Sequence, residues 1–350
     1  MKKNILIFGG AGFIGSNYIR KVINKNFFVV NIDALTYASS NKNINDLNKF
    51  RNYKFIRSNI IDSVSIRKIL RLYKPLYIIN FAAETHVDRS IDNPMPFVRT
   101  NVFGVSHLIN EIKNYWINLG LNLKNKFKFI QISTDEVYGS IDKGSANERS
   151  KYITSSPYSA SKAAADEIIM AFYKTYKFPI IITRCSNNYG PYQFPEKLIP
   201  LMIINSIQEK DLPVYGKGNQ IRDWIYVEDH VDAIYEILKF GKIGEIYNIG
   251  GENQLTNISV VKKICTILDK RKPRKNNKSY LSLIKYVKDR PAHDQRYSVN
   301  INKIRKEVKW KPKINFNHGI EKTVDWYLAN KSWWKSILKN SYSGERLGKL

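Results

Sequence analysis

Asn4-Ile5-Leu6-Ile7-Phe8-Gly9-Gly10-Ala11-Gly12-Phe13-Ile14-Gly15 is the stretch that decides the fold. An apolar run of strand length, Asn4 to Phe8, leads into Gly9, Gly12 and Gly15 at G-x-x-G-x-x-G spacing, and a helical stretch, Ser16 to Asn24, follows. Such glycines permit a tight turn and let a pyrophosphate approach backbone N–H groups at the helix start. Alone, the motif is only a glycine-rich turn. Here a second strand, Phe27 to Ile32, ends in Asp33 at about the expected separation of ~20 residues. A carboxylate there accepts hydrogen bonds from both ribose hydroxyls and repels a 2′-phosphate, which selects NAD over NADP.

The strand–helix alternation continues outward from this unit. Strands are expected at Tyr53–Arg57, Leu76–Asn80, Phe127–Ile132 and Pro179–Arg184, with helices at Val64–Tyr73, Phe97–Leu119 and Pro157–Tyr176. That order predicts an α/β fold, a Rossmann-type doubly wound parallel sheet. From Cys185 turn residues, aromatics and short helices alternate, as in a smaller substrate-binding α/β domain. Val227–Phe240 reads as a helix and Glu245–Asn248 as a strand returning to the first sheet. The domains are therefore expected to interleave: 1–184 plus about 222–250 for the nucleotide, 185–221 plus about 251–350 for the substrate. Ligands of such sheets lie beyond the carboxyl ends of the strands. Asn59-Ile60, Ala82-Ala83-Glu84-Thr85-His86 and Ser133-Thr134-Asp135-Glu136 all fall there.

Two motifs in this half carry chemistry. Tyr158 and Lys162 stand four residues apart, on one face of a helix. The ammonium is expected to lower the phenol's pKa and make it a base for an alcohol. Asp135-Glu136 adds an acid/base pair that a simple dehydrogenase does not need. The plainer alternatives are an exposed helix pair and a surface turn. Which carboxyl has the raised pKa is not legible from the residues.

Composition bounds the rest. The 350 residues are 43% apolar and 13% aromatic, enough for a substantial globular core. No apolar run approaches the ~20 residues of a membrane helix, and no secretory signal opens the chain, so a cytoplasmic protein without membrane association is expected. Cys185 and Cys265 lack metal-ligand spacing, and no metal is expected. The net charge of +27 suits a polyanionic partner. The lysines are scattered, however, and the chain is rich in Lys, Asn and Ile, so drift toward A/T-rich codons is the preferred reading and no nucleic-acid partner is expected. Lys270-Arg271-Lys272-Pro273-Arg274-Lys275 reads as a solvated loop.

The glycine stretch, Asp33-Ala34-Leu35-Thr36, Ala82 to Ser90, Ser133 to Gly139, Ser156 to Lys162 and Ser186 to Tyr192 together resemble the extended short-chain dehydrogenase/reductases. With Phe194 to Pro200, Arg222-Asp223-Trp224 and Asp289 to Asp294, the resemblance narrows to the dTDP-glucose 4,6-dehydratase family, running from Lys3 to the tail at Gly344-Glu345-Arg346-Leu347. It implies a homodimer formed by the helices around Phe97–Leu119 and Tyr158–Tyr176. It implies an NAD site of Gly9, Gly12, Phe13, Ile14, Gly15, Asp33, Ala34, Leu35, Thr36, Asn59, Ile60, Ala82, Ala83, Thr85, Thr100, Tyr158, Lys162 and Asn188. Asn59 departs from the family's usual Asp, and the segment Gly139–Ser155 is short, a trimmed surface loop with little expected bearing on chemistry.

The same resemblance implies a mechanism and a sugar-nucleotide pocket. Tyr158 would take the 4-hydroxyl proton, with Lys162 holding the phenolate and Thr134 the 4-oxygen. Glu136 would take the C5 proton, and Asp135 would protonate the departing 6-hydroxyl. His86, Asn187, Glu196, Lys197, Leu198, Pro213, Val214, Tyr215, Arg222, Asn257, Asp289, Arg290, His293 and Tyr297 would surround dTDP-glucose. Trp224 and Trp310 are assigned to packing, and an Arg222–Asp223 surface pair is the alternative for Arg222. A 4-epimerase would use the same Tyr and Lys but not the carboxyl pair. A dehydratase of another nucleotide sugar differs only in pocket detail.

Overall fold

The computed structural model describes residues 3–340, so the tail Gly344-Glu345-Arg346-Leu347 lies outside the described residues. The chain opens with β1 (Lys3–Phe8), α1 (Phe13–Val22), β2 (Phe27–Asp33), β3 (Tyr53–Arg57), α2 (Ser63–Tyr73), β4 (Tyr77–Asn80) and α3 (Val87–Asp92). A continuous helical run follows: α4 (Met95–Phe97), a π-helical segment (Val98–Gly104) and α5 (Val105–Ile117). Then come α6 (Leu121–Lys124), β5 (Lys128–Thr134), α7 (Pro157–Tyr176), β6 (Ile180–Cys185) and β7 (Asn187–Tyr189). The back half holds α8 (Leu198–Ile207), β8 (Leu212–Tyr215), β9 (Ile221–Tyr226), α9 (Val227–Phe240), β10 (Ile246–Ile249), β11 (Gln254–Thr256) and α10 (Asn257–Arg271). It ends with β12 (Ile284–Val287), α11 (Asn302–Glu307), α12 (Phe316–Ala329) and α13 (Lys331–Asn340).

Seven strands form one sheet in the order β10-β6-β5-β4-β1-β2-β3, with every pairing parallel. Both faces are covered, so β1 is continuously apolar from Ile5 to Phe8 rather than alternating with polar residues. Ile5 and Ile7 pack with Tyr18, Ile19 and Ile234 on one face. Leu6 and Phe8 pack with Ile66, Leu108 and Ile169 on the other. This is the doubly wound α/β fold expected from the sequence. A second core, including Met202, Trp224, Ile264, Tyr327 and Trp334, lies beneath the back half. There β11, β9 and β7 form a three-stranded sheet, and β12 pairs with β8. Trp310 joins the first core and Trp224 the second, as the packing assignment anticipates.

Several elements differ from expectation for identifiable reasons. The first helix begins at Phe13 because Gly12, in an extended conformation, is its N-cap. β5 continues to Thr134 because Ser133 and Thr134 pair with Arg184 and Cys185 of β6. The helix expected over 97–119 is interrupted by the π turn, where Gly104 packs so closely that an added Cβ would lie 2.7 Å from Ile60 Cδ1. The basic segment lies partly at the end of α10, since Lys270 and Arg271 are its last turn. No helix among the described residues is long and apolar enough to cross a membrane.

The segment 139–155 is the largest departure. It is not a passive surface loop. Ala146 is buried, donating its N–H to Ser298 O and accepting from Asn300 N, while Ile141 N donates to Arg296 O. Arg296 returns hydrogen bonds to Ile141 O (2.9 Å) and Gly144 O (2.8 Å), and Ser155 Oγ donates to Asp294. Arg296→Ala is therefore expected to cost about 1–3 kcal/mol in urea unfolding and to expose the segment near Gly144 to limited proteolysis. An unchanged digestion pattern would refute this stitching role.

Candidate active site

Thr134 is the last residue of β5, and its Oγ1 accepts a hydrogen bond from Glu136 N at 3.2 Å, capping the 3₁₀ turn Asp135–Tyr138. The turn carries Asp135 inward. Across from it, α7 starts with a capping box between Ser156 and Ser159, and Pro157 occupies the first turn, where its missing N–H costs nothing. That start places Tyr158 and Lys162, both buried, on the face toward β5. Lys162 Nζ donates to Ile132 O at 2.7 Å, and Thr134 Oγ1 donates to Asp135 Oδ1 at 3.4 Å.

The two carboxyls have unequal surroundings. Burial pushes Asp135 well above the usual carboxylate range, and the negative charges of Glu136 and Asp223 push it further. Its Oδ2 has no hydrogen-bond partner. Burial also raises Glu136, but Arg290, Arg222 and Lys197 face it and favour its ionised form. The arrangement favours the neutral form of Asp135 more strongly than that of Glu136. Tyr158 departs from the sequence expectation. Burial, then Glu136, pushes its phenol well above the ordinary value, with Thr134 opposing. The spacing that suggests acidification by Lys162 takes no account of a neighbouring carboxylate or of desolvation. Burial lowers Lys162 itself.

A cavity of about 300 Å³ opens over these groups at the carboxyl ends of the strands. Its walls include Thr134, Asp135, Glu136, Tyr158 and Lys162, together with Gly9, Gly12, Phe13, Ile14, Gly15, Asp33, Ala34, Thr36, Asn59, Ile60, Ala82, Ala83, Thr85, Thr100 and Asn188. Leu35 is not part of the wall; its N–H donates to Asp33 Oδ1 at 2.8 Å, and Ala11 N donates to Oδ2 at 2.9 Å. The glycines form a cradle. A Cβ on Gly9 would meet Ala82 N at 2.5 Å, and one on Gly15 would meet Gly9 O at 2.3 Å. A bare backbone turn at a helix start, followed by an oriented carboxylate at the next strand end, fits a dinucleotide. Among the described residues no group of His, Cys, Asp and Glu could hold a metal ion.

The residues expected around a sugar nucleotide fall into three groups. Asn187, Glu196 and Lys197 line the cavity. Glu196 accepts from Arg89 Nε at 2.9 Å and Tyr37 OH at 3.2 Å, with His86 Nε2 4.0 Å away, and Lys197 Nζ donates to Thr85 O at 2.9 Å. Burial and three neighbouring cations keep His86 neutral. A second group gathers behind Glu136. Tyr297 OH lies 3.4 Å from Glu136 Oε2 and donates to Asp294 at 2.6 Å. Arg222 stacks on the Tyr297 ring at 4.2 Å and donates to the Ile221 and Asp294 carbonyls. Arg222 and Asp223 form no pair: Asp223 instead accepts from Gly251 N and Asn253 N. Arg290 pairs with Asp88 at 2.5 Å, and Tyr215 OH donates to the other Asp88 oxygen. His293 Nδ1 is 2.6 Å from Asp289, and burial with Arg290 nearby brings its pKa down to about 4. A third group, Leu198, Pro213, Val214 and Asn257, belongs to α8, β8 and α10 and lines no part of the cavity.

Sequence reasoning missed Cys185, Gln193 and Phe194 in the cavity wall and the anchoring roles of Tyr37, Asp88 and Arg89. All six lie within or beside segments that carried the resemblance. Only the folded chain brings them together.

The family profile described as GDP-mannose 4,6 dehydratase matches residues 6–323. The chain is 49% identical over 357 residues to a dTDP-glucose 4,6-dehydratase of Escherichia coli, spanning 98% of this chain and 99% of that one. A crystal structure of dTDP-glucose 4,6-dehydratase from Bacillus anthracis in complex with NAD is similar, with a TM-score of 0.85 at 42% identity over 96% of this chain and 99% of that chain. A dTDP-glucose 4,6-dehydratase from Streptomyces venezuelae with NAD bound gives a TM-score of 0.87 at 38% identity, over 95% and 99% of the two chains.

The state of Asp135 has a measurable consequence. A carboxyl whose pKa is higher folded than unfolded stabilises the fold at low pH, and that contribution is lost as pH rises through the raised value. Asp135→Asn is therefore expected to unfold at higher urea than the wild type at about pH 8, with the advantage vanishing near pH 4. A difference independent of pH would mean that Asp135 titrates as an ordinary surface acid.

Proposed function

This chain belongs to the dTDP-glucose 4,6-dehydratase family, and we propose that it removes water from dTDP-glucose to give the 4-keto-6-deoxy sugar nucleotide. Bound NAD supplies the hydride acceptor and donor that link oxidation at C4 to reduction at C6. The glycine cradle at α1 holds its pyrophosphate, and Asp33, already oriented by two backbone N–H groups, takes the ribose hydroxyls.

Tyr158 Oη takes the proton of the 4-hydroxyl, positioned by Thr134; because burial raises the phenol it must first ionise, and the Lys162 ammonium stabilises the phenolate. The ketone at C4 acidifies the C5 proton. Glu136 removes it, Asp135 gives its proton to the departing 6-hydroxyl, which leaves as water, and C5 takes a proton back once C6 has been reduced. Elimination needs a base and an acid together, and the unequal surroundings of this pair supply one of each. The observation that carries the reading is the convergence of Thr134, Asp135 and Glu136 with Tyr158 and Lys162 on one cavity wall. A 4-epimerase has no use for the second pair of acid/base groups. Arg222, Arg290 and Lys197 provide positive charge on the substrate side.

Two interleaved domains accord with this scheme, 1–184 with about 222–250 for NAD and 185–221 with about 251–350 for the sugar nucleotide. In this reading β9, paired with β7 and β11 in the three-stranded sheet, goes with the smaller domain, and the return begins at α9. A homodimer through the 95–117 run and α7 is part of the same reading. Met95, Val98, Phe103, Ile117 and Tyr176 expose apolar surface on these helices. We also place the enzyme in the cytoplasm, in keeping with its buried free thiols Cys185 and Cys265.

Purified protein incubated with dTDP-glucose should form a 4-keto sugar detectable by its alkali-induced absorbance, with UDP- and CDP-glucose as comparisons. Tyr158→Phe should lose about 10²–10⁴-fold in turnover, and Gly15→Ala should weaken retention of NAD through its clash at Gly9 O. Glu136 must be ionised to act, so turnover should fall on acidification at a higher pH than an ordinary glutamate would dictate. Glu136→Gln should retain NAD yet lose C5 proton exchange with solvent. Wild-type turnover in either Tyr158→Phe or Glu136→Gln would sink the scheme. For the dimer, Phe103→Glu should shift the mass measured by light scattering toward the monomer.

A further inference from the structure

α7 carries a third ionisable residue in line with the first two. Tyr158, Lys162 and Asp166 follow at successive turns, and all three are buried. Asp166 is fully enclosed, pairing through Oδ2 with Arg184 Nε at 2.9 Å, while its Oδ1 has no hydrogen-bond partner. Arg184 is anchored on its far side by the Tyr138 hydroxyl at 2.8 Å and by Tyr152.

Lys162 needs an anion here. Its ammonium has left water and makes a single hydrogen bond, to Ile132 O. Burial drives it toward neutrality, and the strongest opposing influence is Asp166, ahead of Cys185. The other groups near it contribute little negative charge. Burial pushes the Cys185 thiol up to about 12, the Tyr158 phenol lies well above its ordinary value, and burial holds Asp135 well above the usual carboxylate range. Burial raises Asp166 too, but Arg184 and Lys162 oppose that and favour its ionised form.

We propose that Asp166 is a positioning residue of the reaction: held by Arg184, its carboxylate keeps the buried Lys162 ammonium charged beside Tyr158. The inference rests on the assignment of Tyr158 and Lys162 given above. Arg184 thereby has a function beyond packing. It fixes the anion on which the lysine depends and shares its charge with two tyrosine hydroxyls instead of reaching the cavity.

The test is the pH profile of kcat/KM for NAD-loaded wild type, Asp166→Asn, Asp166→Glu and Arg184→Gln. Without the carboxylate, Lys162 loses its proton at lower pH, so Asp166→Asn should move the alkaline limb toward neutrality. The loss at alkaline pH should be roughly tenfold to a hundredfold, up to the lower end of what an acid–base group contributes, with NAD content unchanged. Asp166→Glu should restore much of it, and Arg184→Gln, which removes the cation that favours ionised Asp166, should move the alkaline limb in the same direction but less far. Should the buried guanidinium prevent Asp166→Asn from folding, Asp166→Asn/Arg184→Gln removes both charges and should show the same alkaline loss. A folded Asp166→Asn or double variant with the wild-type profile overturns the proposal. Wild-type activity in Lys162→Met would instead remove the premise, a separate result.

Discussion

The hydrogen bond from Lys162 to the carbonyl of Ile132 joins the two elements on which the chemistry depends. It draws α7 against the end of β5, so the phenol on the helix and the carboxyls after the strand share one space. A flexible ammonium could satisfy itself in many ways in water. Once buried it must take a fixed acceptor, because an unpaired charge in the interior is costly. The geometry of the site therefore follows from the need to place one cation. Parallel pairing of β5 with β6 does the rest, holding Ser133 and Thr134 in register with Arg184 and Cys185.

Around this joint the protein distributes charge unevenly. The carboxyl nearest the core lacks a partner for one oxygen, whereas its neighbour faces two arginines and a lysine. Neither environment is favourable for stability. Both are suited to handling protons, since adjacent groups of the same type would otherwise titrate alike. The cations that support Glu136 are themselves held from a distance: Arg290 by Asp88 of α3, and Arg222 by two carbonyls and the Tyr297 ring.

Much of this was legible in the sequence because it obeys local rules. The glycine turn, Asp33 at the next strand end and the spacing of Tyr158 and Lys162 are set by chain geometry over a few residues. Both α7 and α9 match their expected limits, Pro157–Tyr176 and Val227–Phe240. What could not be read depends on residues far apart in the chain. The Asp88–Arg290 pair joins positions 202 residues apart, and Arg89–Glu196 joins positions 107 apart. No periodicity announces such contacts. The π turn at Val98–Gly104 was hidden for a related reason, since it reflects close packing of Gly104 on Ile60 rather than any helix-breaking residue. Charge states were the least legible of all. A lysine one turn from a tyrosine suggests an acidified phenol, and only the depth of the pocket and the nearness of Glu136 reverse that.

The stem of the 139–155 segment touches this machinery through one side chain after another: Ser155 bonds Asp294, Asp294 bonds Tyr297, and Tyr297 reaches Glu136. Its tip around Gly144 is exposed, and a Cβ added there would meet nothing within 4 Å. The two parts of the segment are consequently constrained to different degrees. The tip meets the rest of the protein through the Arg296 bond to Gly144 O, whereas a change of length in the stem would be felt at Glu136.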